Sequence, residues 1–273
     1  MKQQPIGIFD SGYGGLTVLK EIKAKLPQYD YIYFGDNARS PYGTRSFETV
    51  YEYTLECVKW LFEQGCPLVI LACNTASAKA LRSIQQNDLP KIDAEKRVLG
   101  VIRPTTEIIG QFTKTGNVGI LATNGTVISG SYPIEIEKFY PDVNVFQQAC
   151  PMWVPLVENN EYNSAGADYF IQKNIHELLL QSGQIDTILL ACTHYPLLIE
   201  KIRQHVPAGV TILSQGEIVA DSLRLYLEKH RDIEEKCSKN GKTVFFTTDS
   251  ADDFDNHAAI FYGQPVKSVH LSL

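Results

Sequence analysis

The chain has 273 residues, a net charge of −6, 44% hydrophobic residues and 21% charged residues. This length allows one large domain or two small ones, and the composition is that of a globular protein. The negative net charge does not favour binding to nucleic acid. No apolar stretch has the length of a transmembrane helix. Residues 1–5 (MKQQP) lead straight into a strand rather than a signal-peptide core, so we expect a cytoplasmic protein without nucleic-acid or membrane partners.

Strands and helices alternate along the chain, which is typical of α/β folds with mostly parallel sheets. Buried strands are expected at 5–9, 31–34, 68–72, 98–102, 118–122, 144–147, 187–191, 210–213, 243–247 and 266–269. Helices are expected at 16–26, 46–64, 76–85, 165–181, 196–205 and 215–229, with another around Pro104 and one beginning at Thr126 or Ser129. The remaining longer segments, which are polar or irregular, are 38–43, 87–96 and 150–163.

Two short sequence segments each have a similar second copy later in the chain. Residues 69–75 read VILACNT and residues 188–194 read ILLACTH, nearly half the chain later. Residues 6–12 (IGIFDSG) resemble residues 118–124 (VGILATN) at a similar offset. Two matches at a consistent spacing favour a duplication. We therefore predict two similar, pseudo-symmetric α/β domains, one formed by residues 1–97 with 208–273 and the other by residues 98–207.

The repeated phrase places a cysteine, Cys73 or Cys192, at the end of an apolar strand in each half. Catalytic groups of parallel sheets lie just beyond the carboxyl ends of the strands. Both thiols precede small polar residues rather than further apolar ones, and a polar neighbourhood helps a thiol to ionise. We expect these two cysteines to be catalytic. The scattered cysteines without such a setting, which are read as ordinary core residues, are Cys57, Cys66, Cys150 and Cys237.

Three further polar groups lie near the predicted strand ends. Asp10 and Ser11 end the first strand, at the same sheet edge as Cys73. Asp10 can cap the following helix, accept a hydrogen bond from a substrate ammonium, or orient a thiol proton. His194 follows Cys192 by two residues, and an imidazole beside a thiol can exchange a proton with it near pH 7. Glu158, in the irregular segment 150–163, is a weaker candidate.

A dinucleotide site and a metal site are two alternatives. Gly12 and Gly14 follow the first strand and Asp36 ends the second, as in a dinucleotide fingerprint, but Thr17 replaces its third glycine. Asp10 would also repel a pyrophosphate. The two candidate thiols with His194 supply at most three metal ligands, without the usual zinc spacing. We therefore expect neither a cofactor nor a metal.

Two equivalent thiols facing one substrate suit racemisation of an α-carbon. One group removes a proton from one face while the other delivers a proton to the opposite face, and the reverse reaction exchanges the roles. Neutral donors beside the thiols would bind the α-carboxylate and the substrate side chain, and these are Ser11, Asn74, Thr75 and Thr193.

Four segments together resemble the glutamate racemase family, whose cofactor-independent enzymes supply D-glutamate for bacterial peptidoglycan. They are residues 7–15 (GIFDSGYGG), 36–43 (DNARSPYG), 72–78 (ACNTASA) and 191–198 (ACTHYPLL). The resemblance implies two α/β domains with glutamate bound between them, Cys73 acting on the D-enantiomer and Cys192 on the L-enantiomer. It also implies that substrate contacts or assistance to the thiols come from Asp10, Ser11, Tyr42, Gly43, Asn74, Thr75, Thr123, Thr193 and His194. We further expect a homodimer.

The chain departs from the family pattern at two points. Ala191 precedes Cys192 where the family commonly has glycine, and Trp153 is bulkier than the usual residue of its loop. A racemase for aspartate uses the same paired-cysteine logic, although Pro41-Tyr42-Gly43 and Cys192-Thr193-His194 favour glutamate. A dinucleotide-dependent oxidoreductase and a non-catalytic, two-lobed amino-acid-binding protein are the alternatives from other functional classes.

Overall fold

A computed structural model describes residues 4–273. The predicted lead into the first strand at Met1, Lys2 and Gln3 lies outside this range. The strands of the described residues are β1 (Ile6–Asp10), β2 (Tyr31–Gly35), β3 (Leu68–Leu71), β4 (Arg97–Gly100), β5 (Asn117–Ala122), β6 (Asn144–Ala149), β7 (Thr187–Ala191), β8 (Thr211–Leu213), β9 (Thr243–Thr247) and β10 (Ser268–His270).

The strands form two parallel sheets, and the predicted α/β class is confirmed. The first sheet has the order β10-β9-β2-β1-β3-β4 and the second the order β6-β5-β7-β8. The segment β2-β1-β3-β4 of the first sheet has the same order as the whole second sheet. The two repeated phrases lie on matching strands, one on β3 and β7 and the other on β1 and β5. Each half therefore has the same arrangement around its thiol-bearing strand.

Helices cover the sheets and connect their parallel strands. They are α1 (Gly15–Lys25), α2 (Phe47–Glu63), α3 (Asn74–Lys79), α4 (Leu81–Ser83), α5 (Leu89–Ile92), α6 (Ile102–Thr106), α7 (Asn124–Ser129), α8 (Ser131–Phe139), α9 (Trp153–Glu158), α10 (Ala165–Gln181), α11 (Ile199–His205), α12 (Gln215–Lys229), α13 (Arg231–Glu234) and α14 (Ala251–Tyr262). Among the described residues, no helix combines the length and the apolar character that crossing a membrane requires.

The sheets divide the chain slightly later than the predicted boundaries at 97 and 208. Strand β4 pairs with β3, Leu68 opposite Arg97, and so belongs to the first sheet. Strand β8 pairs with β7, Thr187 opposite Thr211, and belongs to the second. The prediction assigned both strands to the wrong half, because it divided the chain before each strand instead of after it. Strands β9 and β10 then extend the first sheet beside β2.

Several local predictions need correction. Residues 87–96 are not a loop throughout, because a π-helical turn (Ile84–Asp88) and α5 continue the helix as far as Ile92. Helix α7 begins before Thr126, because the Thr123 hydroxyl accepts the Thr126 N–H and caps it. The segment 150–163, predicted to be irregular, contains helix α9, whose first turn tolerates Pro155. Helix α14 was also missed.

The strand registers bring polar side chains of distant segments together. In the first sheet Phe9 lies opposite Leu71, and continuing that register by two residues places Ser11 beside Cys73. In the second sheet Ala122 lies opposite Ala191, so that Thr123 comes beside Cys192. Because parallel strands end at the same sheet edge, each half presents a hydroxyl and a thiol at one place.

Asp186 offers a test of how the second sheet is stabilised. Its carboxylate, just before β7, accepts hydrogen bonds from the Thr113 hydroxyl (2.6 Å), the N–H groups of Lys114 (2.7 Å) and Thr115 (2.9 Å), and the Thr187 hydroxyl (3.1 Å). Burial opposes ionisation, but these hydrogen bonds outweigh it and lower the pKa of Asp186 to about 2. The ionised carboxylate therefore connects the chain before β5 to the start of β7.

We expect Asp186→Asn to lower the free energy of unfolding by about 1–2 kcal/mol at pH 7, because an amide accepts fewer of these hydrogen bonds. The folded pKa lies below the unfolded value of about 3.9, so the contribution is complete above pH ~4 and is lost as the pH falls towards 2. Urea unfolding at pH 7 and pH 3 measures the difference, with the exposed Asp142→Asn as the control. Equal stability of the Asp186 variant and the wild type at pH 7 would contradict this account.

Candidate active site

A cavity of about 80 Å³ lies at the carboxyl ends of β1 and β3 in one sheet and of β5 and β7 in the other. Both Cys73 and Cys192 line it, and both are free thiols. The other predicted site residues that line it are Ser11, Tyr42, Gly43, Asn74, Thr75, Thr123, Thr193 and His194, together with Glu158. Asp10 alone among the predicted site residues is absent from the lining. The structure thus brings residues from both halves of the chain to one small chamber.

Cys73 is held at the first turn of α3. Its sulfur accepts the Ala76 N–H at 3.4 Å, and the Ser11 hydroxyl lies 3.4 Å from the same sulfur. Burial, reinforced by the negative charge of Asp10, raises the pKa of Cys73 to about 12, although the hydrogen bonds of Ser11 and Ala76 act in the opposite direction. This side chain therefore carries its proton at neutral pH.

Cys192 has a different neighbour. His194 Nδ1 lies 3.9 Å from the Cys192 sulfur, and His194 Nε2 lies 2.9 Å from Glu158 Oε1. Burial disfavours protonation of the imidazole, but the hydrogen bonds with Cys192 and Glu158 outweigh it and raise the pKa of His194 to about 10. At neutral pH an imidazolium therefore lies beside the Cys192 sulfur.

Asp10 lies behind the cavity wall and is 1% exposed. Its Oδ2 accepts the Gly12 N–H at 2.9 Å, whereas its Oδ1 has no hydrogen-bond partner among the described residues. Burial raises the pKa of Asp10, an effect that the charge of His194 and the backbone N–H groups of Gly12 and Gly15 partly offset. An unpaired buried carboxyl oxygen is costly, so this atom calls for a polar partner.

Tyr42 contributes its ring rather than a free hydroxyl. The hydroxyl donates a hydrogen bond to the buried carboxylate of Asp36, which also accepts from Arg39 Nε at 2.7 Å and from the Thr248 hydroxyl at 2.9 Å. These bonds hold the loop 36–43 against the first sheet. The next residue, Gly43, presents its backbone to the cavity, where a Cβ would lie 3.1 Å from the Thr123 side chain.

Several direct hydrogen bonds cross between the halves around the cavity, and the following three lie at its loops and strand ends. The Thr75 and Thr123 hydroxyls are 3.0 Å apart, and the Gly125 N–H donates to the Gly43 carbonyl at 2.9 Å. On another side the Thr17 hydroxyl donates to the Thr193 carbonyl at 3.0 Å. These bonds attach the loop 36–43 and the segment that carries Thr193 to the opposite half of the chain.

The glycine turn before α1 is filled by protein and cannot hold a pyrophosphate. A Cβ on Gly14 would lie 2.2 Å from Thr193 Oγ1 and 2.5 Å from His194 Nδ1. Glycine is needed there because the other half of the protein packs directly against it. This packing leaves no space for the phosphate groups that a dinucleotide would place at the turn. Within residues 4–273, no group of three His, Cys, Asp or Glu side chains has a metal-binding arrangement.

Sequence reasoning missed part of the lining. Thr44, Asn124, Pro151, Val154 and Pro155 line the cavity, as does Cys150, which belongs to the core as predicted and also borders the cavity. Cys150 directly follows β6, so the strand-end argument applied to the other two thiols could have found it. Asn124 aligns with Gly12 when the repeated segments 118–124 and 6–12 are superimposed. The helix that carries Val154 and Pro155 had no comparable signal.

Comparisons with known proteins agree with this geometry. The family model described as Asp/Glu/Hydantoin racemase matches residues 14–223. A glutamate racemase of Persephonella marina is 38% identical over 98% of this chain and 97% of its own length. The crystal structure of a glutamate racemase isoform from Bacillus anthracis superposes with a TM-score of 0.90 at 34% identity, covering 100% of this chain and 99% of that one.

A glutamate racemase from Francisella tularensis, whose crystal structure holds D-glutamate, has a TM-score of 0.87 at 28% identity. It covers 100% of this chain and 98% of its own. Family model, full-length relative and full-length structures agree, and the chain belongs to the Asp/Glu/Hydantoin racemase family.

Proposed function

We propose that this protein is an isomerase that interconverts L- and D-glutamate through Cys73 and Cys192 without a cofactor. The observation that carries the proposal is the pair of free thiols, one from each of two equivalent strands, on the wall of a single small cavity. The relatives that match over their full length are glutamate racemases, which supports glutamate over aspartate as the substrate. The product D-glutamate would serve peptidoglycan synthesis.

In the L-to-D direction, Cys192 acts first. Its thiolate removes the α-proton of L-glutamate, and the electron pair of the C–H bond stays on the α-carbon, delocalised into the α-carboxylate. Cys73 then delivers its thiol proton to the opposite face. The high pKa of Cys73 keeps that proton in place, while the His194 imidazolium lies beside the Cys192 sulfur that accepts the α-proton. Each turnover moves one proton onto Cys192 and one off Cys73.

The reverse direction begins with the opposite protonation states. Cys73 as thiolate would accept hydrogen bonds from the Ser11 hydroxyl and the Ala76 N–H, which lie at the required distances. His194 and Glu158 would then accompany a protonated Cys192. The hydrogen-bond donors around Cys73 and the His194–Glu158 pair beside Cys192 support the assignment of Cys73 to the D-enantiomer and Cys192 to the L-enantiomer.

The remaining polar groups are proposed to bind the substrate. Neutral donors suit its two carboxylates, because they stabilise charge that grows on the α-carboxylate without a proton transfer of their own. These donors are Ser11, Asn74, Thr75, Thr123, Thr193 and the backbone at Gly43. Asp10, which does not line the cavity, is proposed to act on the neighbouring Cys73 thiol rather than on the substrate. The homodimer and the cytoplasmic location stay predictions.

Replacing either Cys73 or Cys192 by alanine should lower the rate of racemisation by at least about 100-fold, because proton transfer on one face then has no donor or acceptor. Loss of circular dichroism from L-glutamate, without any added cofactor, measures the rate. Cys237→Ala is the matched control, since Cys237 is equally buried but absent from the cavity wall. Near-normal turnover by either active-site variant would exclude the two-thiol mechanism.

Glu158→Gln should lower the pKa of His194 by about 1–3 units, because an isosteric amide removes the negative charge beside Nε2. The imidazolium would then be lost at a lower pH than the value of about 10 in the wild type. NMR titration of histidine labelled at Cε1 measures the shift, with the exposed Glu161→Gln as control.

The kinetic effect of this variant has one constraint. Because enantiomers have equal free energies, kcat/KM must fall equally in both directions, and only kcat and KM separately can differ between L- and D-glutamate. An unchanged His194 titration in Glu158→Gln would contradict the role proposed for the pair.

A further inference from the structure

Asn74 lies between the cavity and a closed ring of hydrogen bonds. Its Nδ2 donates to Gln215 Oε1 at 2.7 Å, and its Oδ1 accepts from the Tyr132 hydroxyl at 2.6 Å. Gln215 Nε2 in turn donates to the Tyr132 hydroxyl at 2.8 Å. Each of the three side chains donates to the next, so the bonds run in one direction around the ring, and such bonds strengthen one another in a buried setting.

The direction of the ring is set by a backbone carbonyl. Gln215 Nε2 also lies 3.1 Å from the Val101 carbonyl oxygen, which can only accept a hydrogen bond. The amide nitrogen of Gln215 must therefore face Val101, and its oxygen must face Asn74. Asn74 then has to turn its NH2 group towards Gln215 and its oxygen towards Tyr132. A flipped Asn74 amide would set two oxygens against each other.

The ring also joins the two halves of the chain. Asn74 follows β3 of the first sheet, and Tyr132 lies on α8 of the second half. Val101 lies on the crossover from β4 to the second half, whereas Gln215 begins α12, just after β8, where the chain returns. All three ring members are buried, and burial raises the pKa of Tyr132, so the phenol keeps the proton that it donates.

We propose that Tyr132 and Gln215 are positioning residues for racemisation, which hold the Asn74 amide in the one orientation that keeps its second N–H available to a substrate carboxylate. The inference rests on the proposed function. Neither residue lines the cavity, so neither touches the substrate, and each would act through Asn74. A fixed donor needs no reorientation when charge grows on the carboxylate.

A double-mutant cycle tests this inference. Tyr132→Phe removes one hydroxyl and should lower kcat/KM for L-glutamate by about three- to tenfold, the usual range for one hydrogen bond. In an Asn74→Ala background the same change should alter kcat/KM by less than about twofold, because the group that it positions is gone. Tyr31→Phe is the control, since its buried hydroxyl donates to the Leu26 carbonyl far from the cavity.

Thermal unfolding of each variant and the affinity of D-glutamate measured by calorimetry accompany the kinetics. A purely structural role would lower the melting temperature and reduce activity by the same factor with or without Asn74, and that result would overturn the inference. An unaffected Tyr132→Phe would overturn it as well. If the wild type itself fails to racemise glutamate, the proposed function is wrong, and the two failures are thereby distinguished.

Discussion

The structure depends on one constraint, the parallel register that ends two equivalent pairs of strands at one cavity. Phe9 opposite Leu71 in the first sheet and Ala122 opposite Ala191 in the second place a hydroxyl and a thiol side by side in each half. Such a duplicated edge suits a reaction that needs two groups on opposite faces of one carbon. The crossing hydrogen bonds, such as that between Thr75 and Thr123, then hold the two edges together.

The two halves are alike in backbone and unlike in charge. Burial and the nearby Asp10 carboxyl keep Cys73 protonated, against the hydrogen bonds from the Ser11 hydroxyl and the Ala76 N–H. Cys192 has an imidazolium supported by Glu158. The pair of His194 and Glu158 beside Cys192 distinguishes the surroundings of the two thiols. A symmetric fold thus surrounds its two thiols with different charged groups.

The sequence predicted the elements whose signals are local. The bounds of α10, α12, β7 and β9 agree with the prediction, because apolar periodicity and caps such as Ser164 define them without help from the rest of the fold. The two thiols were found because they recur in a repeated phrase. Helix α9 and the ring of Asn74, Tyr132 and Gln215 could not be found that way. They depend on tertiary packing between segments far apart in the chain, and no local spacing encodes that packing.

The central claim is that two different sulfurs handle the two faces of the α-carbon, and conversion of L-glutamate in D2O tests it most directly. The proton removed by Cys192 stays on that sulfur, whereas Cys73 delivers deuterium taken earlier from the solvent. Early in the reaction, D-glutamate should therefore carry deuterium at the α-carbon almost completely, and recovered L-glutamate should carry almost none. Substantial early deuterium in L-glutamate, or protium retained in D-glutamate, would contradict the account.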